Sequence, residues 1–220
     1  MVLYRCVEGE GLMIKFVFFD LGGVLFVDDS RIQAKALAKD LQLPPAFVWK
    51  KYHEGFSKAR LRVMNEGRRS WMHFLLPIFK LLVPRISSRQ ARLLLKVVDS
   101  IFVPIPETVQ IAKKLRGKVK LGIISNQPLD LARQMVREPF WSWFDIRIIS
   151  CYVRLSKRRN DPRIFRLALK KARCKAEECV YIDDRLPHVE TARSLGMHAI
   201  LFKNAKQLKK ELERLLKTSL

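Results

Sequence analysis

Short apolar runs alternate with amphipathic stretches through the second half of the chain. The apolar runs are rich in Ile, Val and Leu, which is typical of strands that are buried on both faces. The segments between them repeat apolar residues at helical spacing. The sequence predicts strands at 120–125, 145–150, 179–183 and 198–202, and helices at 106–115, 129–137, 162–172, 188–195 and 205–216. Strands that alternate with helices predict a Rossmann-like α/β fold, in which helices cover both faces of a mostly parallel sheet.

The first half of the chain begins with a similar apolar run and then changes character. Residues 14–19 predict one more strand, and the glycines that follow predict a turn. Further on the pattern is helical throughout, and Ser30 is the expected N-cap of the first helix. We therefore predict an N-terminal extension at 1–12, an α/β core formed by 13–29 and 101–220, and an all-helical insertion at 30–100.

Polar side chains stand at the ends of three predicted strands. They are Asp20, the pair Ser125 and Asn126, and the pair Asp183 and Asp184. Each alone is typical of a turn, but the carboxyl ends of parallel strands meet at one edge of a sheet, where ligands bind. Clustered carboxylates repel one another unless a cation offsets them, and oxygen ligands favour Mg²⁺. A carboxylate held beside Mg²⁺ is a candidate nucleophile for phosphoryl transfer, and Ser125 is a candidate donor to a phosphate oxygen.

The formal net charge of +22 is unusual for 220 residues. The segment 154–175 holds ten basic residues and one acid, Asp161. Such a field attracts nucleic acid, other polyanions and small anionic substrates alike. A generally basic proteome or a solvated basic face is the simpler explanation, and we favour it.

The cysteines and the apolar segments bear on the compartment. The four cysteines are scattered without a C-x-x-C pair, which favours a reduced intracellular protein over a disulfide framework. No secretory leader and no membrane-spanning stretch is expected, so we predict a cytoplasmic protein without a membrane partner.

Four stretches of the chain, taken in order, resemble the haloacid dehalogenase-like hydrolase family over residues 13–217. They are FVFFDLGGVL, LGIISNQP, the basic stretch before DPRIFRLAL, and VYIDDRLPHVETARSLGMHAILF. The last is the most specific, because it pairs a double Asp after a strand with a detailed match beyond it. The helical insertion lies where that family carries a helical cap, and NEGRRSWMHF is similar to a recurring cap segment.

The resemblance implies a role for each matching position. Asp20 corresponds to the nucleophile, which forms an aspartyl-phosphate and also binds Mg²⁺. Gly22 contributes its backbone carbonyl to the metal, and Ser125 binds the transferring phosphoryl group. Asp183 binds Mg²⁺ directly, and Asp184 binds it through water or supports the site from behind. Asn126 is expected to help bind the substrate.

The chain departs from the family pattern at Gly22. Phosphatases of this family carry a second Asp there as general acid and base, and glycine has no side chain to replace it. General acid catalysis is worth about 10²–10⁴-fold in rate. Its loss would slow the enzyme, but positioning and charge stabilisation would remain. Asp28 and Asp29, in the turn just after the second apolar run, are candidates for a replacement.

The lysine motif also departs from the usual Lys-Pro-Asp-Pro, because the chain reads SKRRNDPRIF. Counting forward from the preceding strand assigns the lysine position to Lys157, and counting back from Asp161 and Pro162 assigns it to Arg159. Either cation can bind phosphate, although the guanidinium has a different shape. We favour Lys157 with a longer loop.

These features predict a Mg²⁺-dependent phosphatase that acts on a small phosphorylated metabolite. One alternative is a weakened member of the same fold that binds nucleic acid or another polyanion through its basic face. A second is a haloacid dehalogenase-type hydrolase, which also lacks the second Asp. That alternative is less favoured because such enzymes do not need the metal that Asp183 and Asp184 suggest.

Overall fold

The computed structural model describes residues 13–66 and 70–220, and in this part of the chain it forms one five-stranded sheet. All pairings are parallel, and the strand order is β3-β2-β1-β4-β5. The strands are β1 (Phe16–Phe19), β2 (Lys120–Ser125), β3 (Ile146–Ile149), β4 (Cys179–Asp183) and β5 (His198–Leu201). The predicted Rossmann-like fold is confirmed.

The composition of β1 agrees with its position at the centre of the sheet. All four of its residues are buried, as expected of a strand with neighbours on both sides and helices on both faces. Val17 and Phe19 point into one apolar layer, and Phe16 and Phe18 point into the other, in keeping with the two-residue period of a strand. Since β2 and β4 flank β1, the residues that end these three strands are neighbours.

Four helices occupy the region between β1 and the rest of the sheet. They are α1 (Ser30–Leu41), α2 (Pro45–Glu66), α3 (Trp71–Leu82) and α4 (Ser88–Asp99). Their buried residues, such as Leu37 and Phe74, belong to the same apolar cluster as the Val17 face of the sheet. The segment is thus all-helical in its described residues and packs continuously with the core. That it is a cap remains a prediction.

The first helix corrects one expectation from the sequence. Its N-cap is Asp29, whose carboxylate accepts a hydrogen bond from the backbone N–H of Arg31 at 2.7 Å. Ser30, the predicted cap, is instead the first helical residue. Both residue types cap well, so sequence alone does not rank them, and the difference is one residue in the helix boundary.

Six further helices cover the sheet. They are α5 (Pro106–Leu115), α6 (Leu129–Met135), α7 (Ser150–Val153), α8 (Arg163–Ala172), α9 (Leu186–Arg193) and α10 (Ala205–Leu216). Some elements differ from the predicted bounds, and α6 ends two residues before the predicted position 137. The predicted strand at 145–150 ends at Ile149, because the chain turns into α7 at Ser150. The helix α9 starts two residues early because Pro187 fits its first turn.

Two other predictions concern the N-terminal residues and the membrane. Residues 1–12, the predicted N-terminal extension, lie outside the described residues. Among the residues that are described, none of the helices combines the length and the apolar character needed to cross a membrane.

Candidate active site

The carboxyl edge of the sheet holds a small polar cavity of about 40 Å³. On the order of 10–15 Å³ of such space accepts one water-sized group, so this cavity has room for a few of them. Every side chain that lines it is polar or charged. The lining residues are Asp20, Gly22, Asp28, Asn126, Gln127, Lys157, Asp184 and His188. The cavity therefore suits charged ligands better than an apolar chain.

Lys157 lies between two of the carboxylates. Its Nζ is 2.6 Å from Asp20 Oδ2 and 2.6 Å from Asp183 Oδ2. The lysine is only 4% exposed, so the ion pairs are shielded from water. This one cation offsets the repulsion of two acids that the sheet brings together.

Asn126 holds Lys157 in place through its amide. Its Oδ1 accepts from the backbone N–H of Lys157 at 2.8 Å, and its Nδ2 donates to the Lys157 carbonyl at 3.0 Å. The side chain predicted to bind substrate is therefore occupied with the lysine loop, although the residue also lines the cavity. Arg159, the alternative for the lysine position, is exposed and is not among the cavity-lining residues. Of the two candidates for the lysine position, Lys157 is thus the one that contacts Asp20 and Asp183, in keeping with the preferred prediction.

The two consecutive aspartates have different surroundings. Asp183, expected to bind metal directly, is fully buried and does not line the cavity. Its oxygens accept from Lys157, from the Arg185 backbone N–H at 2.8 Å and from the Tyr181 hydroxyl. Asp184, expected to act indirectly, is exposed and lines the cavity. Successive side chains at a strand end point in opposite directions, so the two acids have different surroundings. Which of them binds the metal directly stays a prediction.

Ser125 is also deeper than its predicted role suggests. It is fully buried and is not among the cavity-lining residues. Its Oγ accepts a hydrogen bond from Gln127 Nε2 at 3.4 Å, and Gln127 does line the cavity. Of these two residues, Gln127 is therefore the one exposed to a ligand in the cavity, and Ser125 lies behind it as its hydrogen-bond partner.

Sequence reasoning missed three polar residues of the site. Gln127 is one, and Tyr181 and His188 are the others. His188 Nδ1 lies 3.1 Å from Asp183 Oδ2. The sequence holds a signal for two of them. Tyr181 is two residues before Asp183 and so shares its face of β4, and His188 falls in the first turn of the helix that follows.

Burial and charge shift the pKa values of these groups in different directions. Burial raises the pKa of Asp20 to about 7, and Asp183 and Asp184 add to that rise against the effect of Lys157. Burial alone would also raise the pKa of Asp183, but Lys157 and His188 bring it well below the usual range. Burial and the charge of Lys157 lower the pKa of His188 to about 4. The same surroundings thus favour the ionised form of Asp183 and disfavour the ionised form of Asp20.

A hard divalent cation fits one side of this site. Asp20, Asp183 and His188 each present an atom within 4.8 Å of the others, but the Lys157 ammonium already lies between Asp20 and Asp183. On the other side, the Asp184 carboxylate packs against the backbone of Gly23, and Asp20, Gly22 and Asp184 line the same cavity. Two carboxylates and a backbone carbonyl are the oxygen ligands that Mg²⁺ prefers.

The central strand of the parallel sheet thus ends in a buried carboxylate that is paired with a lysine. The model of one family, haloacid dehalogenase-like hydrolases, matches residues 14–196, which is most of the chain. The chain belongs to this family, as its motifs indicate.

Similar proteins of known structure support the fold. A haloacid dehalogenase family enzyme of Bacteroides thetaiotaomicron, in complex with magnesium and inorganic phosphate, is 21% identical with a TM-score of 0.67, covering 86% of this chain and 94% of that one. The L-2-haloacid dehalogenase of Xanthobacter autotrophicus is 19% identical with a TM-score of 0.67, covering 91% of this chain and 82% of that one. At these identities the likeness establishes the fold, which both proteins share with this chain.

Among curated proteins, acyl-CoA dehydrogenase family member 10 of Mus musculus is 27% identical over 96% of this chain. The chain spans only 20% of that protein's length, and 36% of the drimenol cyclase drtB of Aspergillus calidoustus, to which it is 26% identical over 91% of this chain. These relatives are therefore much longer than the segment that resembles this chain.

Proposed function

We propose that this protein is a Mg²⁺-dependent phosphatase of a small phosphorylated compound, with Asp20 as the nucleophile. One observation carries the proposal: Lys157 neutralises Asp20 and Asp183 at 2.6 Å each, while Asp184 faces the same polar cavity. The arrangement provides a nucleophile, a fixed cation for a phosphoryl oxygen and an acidic ligand for a metal. The magnesium and phosphate bound by the Bacteroides thetaiotaomicron enzyme support the same chemistry.

The side chains have complementary tasks in this reaction. Asp20 attacks phosphorus, and its aspartyl-phosphate is then hydrolysed by water. Lys157 stabilises the negative charge on the transferring group, held in place by Asn126 and Asp183. Asp20, Gly22 and Asp184 would hold the Mg²⁺, which would supply positive charge against the phosphoryl group and the Asp20 carboxylate.

Measuring phosphate release from a panel of phosphomonoesters, with Mg²⁺ and with EDTA, tests the proposal. We expect Mg²⁺-dependent release by the wild type and a loss of at least about 10³-fold in Asp20→Asn. Asp40→Asn, which changes an exposed aspartate of α1, is the matched control and should retain full activity. Absence of Mg²⁺-dependent release, or equal release by Asp20→Asn, would contradict the proposal. Chloride release from 2-chloropropionate in a parallel assay would instead favour a dehalogenase.

The basic surface remains a separate prediction. Exposed cations of α8 and the loop before it include Arg158, Arg159, Arg166, Lys170 and Lys171. None of these five residues lines the cavity, so we expect binding of a polyanion to them to survive the loss of the Asp20 charge. Salt-sensitive RNA binding that survives Asp20→Asn, in a protein without phosphatase activity, would support that alternative.

A further inference from the structure

Gly22 is the position where the family pattern would place a second acid, and its backbone does not require glycine. Positive φ angles occur at Gly23, Gly117 and Gly196 among the described glycines, but not at Gly22. Only such left-handed conformations favour glycine over other residues. The restriction at residue 22 therefore comes from the space around it and not from its backbone conformation.

That feature is the carboxylate of Asp28. A Cβ added at Gly22 would lie 2.7 Å from Asp28 Oδ2, 3.1 Å from its Cβ and 3.3 Å from its Cγ. The Asp28 carboxyl group thus occupies the space in which a side chain at residue 22 would begin. Asp28 and Gly22 line the same cavity as Asp20.

The backbone of the turn fixes this placement. Residues 22 and 26 form a bridge, and the Gly23 N–H donates to the Phe26 carbonyl at 2.8 Å. The Val27 N–H then donates to the Val103 carbonyl at 2.9 Å. The chain is therefore folded back on itself and held on both sides just before Asp28.

Asp29, the other candidate from the sequence, is used differently. Its carboxylate caps α1 through the Arg31 N–H, it is exposed, and it is not among the cavity-lining residues. Of the two adjacent acids, Asp29 thus caps a helix and Asp28 lines the cavity that Asp20 also lines.

We propose that Asp28 is the general acid and base of this site, supplying from a distant position the carboxyl group that Gly22 lacks. This role rests on the phosphatase function proposed above. Asp20 attacks phosphorus, the bond from phosphorus to the ester oxygen breaks, and that oxygen takes its electron pair together with a proton from Asp28. The alcohol leaves. The Asp28 carboxylate then accepts a proton from the water that attacks phosphorus, which releases inorganic phosphate and restores both carboxyl groups.

Leaving groups of different basicity test this role. Nitrophenolate leaves without a proton, whereas an alkoxide needs one. We therefore expect Asp28→Asn to lower kcat on alkyl phosphates by about 10²–10⁴-fold and on p-nitrophenyl phosphate by less than about fivefold. Asp29→Asn is the matched control, because Asn caps helices as well as Asp, and it should behave as the wild type on both substrates.

Moving the carboxyl group back to residue 22 provides a second test. The double variant Gly22→Asp/Asp28→Gly should regain at least about tenfold of the alkyl phosphatase activity that Asp28→Gly loses. Thermal unfolding tests the geometry without activity: Gly22→Ala should lower Tm in the presence of Asp28 and much less in the Asp28→Gly background.

The outcomes separate this role from the proposed function. If the wild type is active and Asp28→Asn slows both kinds of substrate equally, or neither, the role of Asp28 is wrong and the phosphatase stands. If the wild type releases no phosphate from any ester, both proposals are wrong. If Gly22→Ala lowers Tm equally in both backgrounds, Asp28 does not fill the space of the missing side chain, and the role is wrong.

Discussion

The Nζ of Lys157 lies 2.6 Å from Asp20 Oδ2, in a site where the lysine is only 4% exposed. This contact joins the central strand to the basic loop after α7. It gives the carboxylate a fixed positive neighbour before any ligand binds. The contact helps to explain how Asp20, Asp183 and Asp184 can share one edge of the sheet. It also makes the stability of the fold depend on the site.

Replacing Lys157 should therefore destabilise the protein. In Lys157→Met, the buried carboxylates of Asp20 and Asp183 lose their common cation, which should lower the free energy of unfolding by about 3–5 kcal/mol. Adding Asp20→Asn should recover part of this loss, because it removes one of the two charges. Urea denaturation measures both effects, and Arg159→Met, at an exposed position, should change stability by less than about 0.5 kcal/mol. Equal effects at the two positions would contradict the placement of the lysine.

The two consecutive aspartates should separate metal binding from stability. Asp184→Asn should raise the Mg²⁺ concentration for half-maximal activity by at least about tenfold and leave Tm nearly unchanged, because Asp184 is exposed and faces the cavity. Asp183→Asn should lower Tm, because Lys157 and the Arg185 N–H lose a charged acceptor. Magnesium titration and thermal unfolding of both variants check this. If Asp183→Asn weakened Mg²⁺ binding and Asp184→Asn did not, Asp183 would be the direct ligand, as expected from the sequence.

Asp99 provides a pH-dependent test outside the site. Burial raises its pKa to about 6, the charge of Asp130 adds to that rise, and its buried Oδ1 has no hydrogen-bond partner among the described residues. It also ends α4, where a negative charge opposes the helix dipole. A raised pKa means that the folded state binds the proton more tightly, so this group destabilises the fold increasingly as pH rises from about 4 to about 6.

Asp99→Asn should remove that effect. We expect the variant to be more stable than the wild type by roughly 1–2 kcal/mol at pH 7.5, with the gain disappearing near pH 4. Urea denaturation at both pH values measures it. A gain that is the same at pH 4 and pH 7.5 would show that the charge of Asp99 is not its cause.

Apolar patterning predicts much of this fold, because buried parallel strands need unbroken apolar runs whatever their neighbours are. Strands β2 and β4 have the predicted bounds, and the polar residues after them meet at one edge of the sheet as expected. Errors concentrate where a boundary depends on competition between adjacent residues. Asp29 rather than Ser30 caps α1, and the strand before α7 ends one residue early.

The site is less predictable from the sequence, because it depends on side-chain direction and on contacts between distant residues. A motif identifies Asp183 and Asp184 together but does not say which one faces the cavity. Pairing of Asn126 with the Lys157 backbone joins residues 31 positions apart, and no local pattern indicates it. Likewise, the sequence shows only that Gly22 lacks a side chain, whereas the structure shows that Asp28 occupies the space of that side chain.

The central claim is that Asp20 becomes phosphorylated, and trapping that intermediate tests it most directly. The protein is incubated with a phosphomonoester and Mg²⁺, quenched, treated with hydroxylamine and digested with trypsin. Trypsin cleaves after Lys15 and after Arg31, and the resulting peptide 16–31, which contains Asp20, is then analysed by mass spectrometry. An acyl phosphate would be converted to a hydroxamate. We predict a hydroxamate at Asp20 that requires both phosphomonoester and Mg²⁺. Phosphate release without modification of Asp20, or modification only after incubation with 2-chloropropionate, would contradict the account.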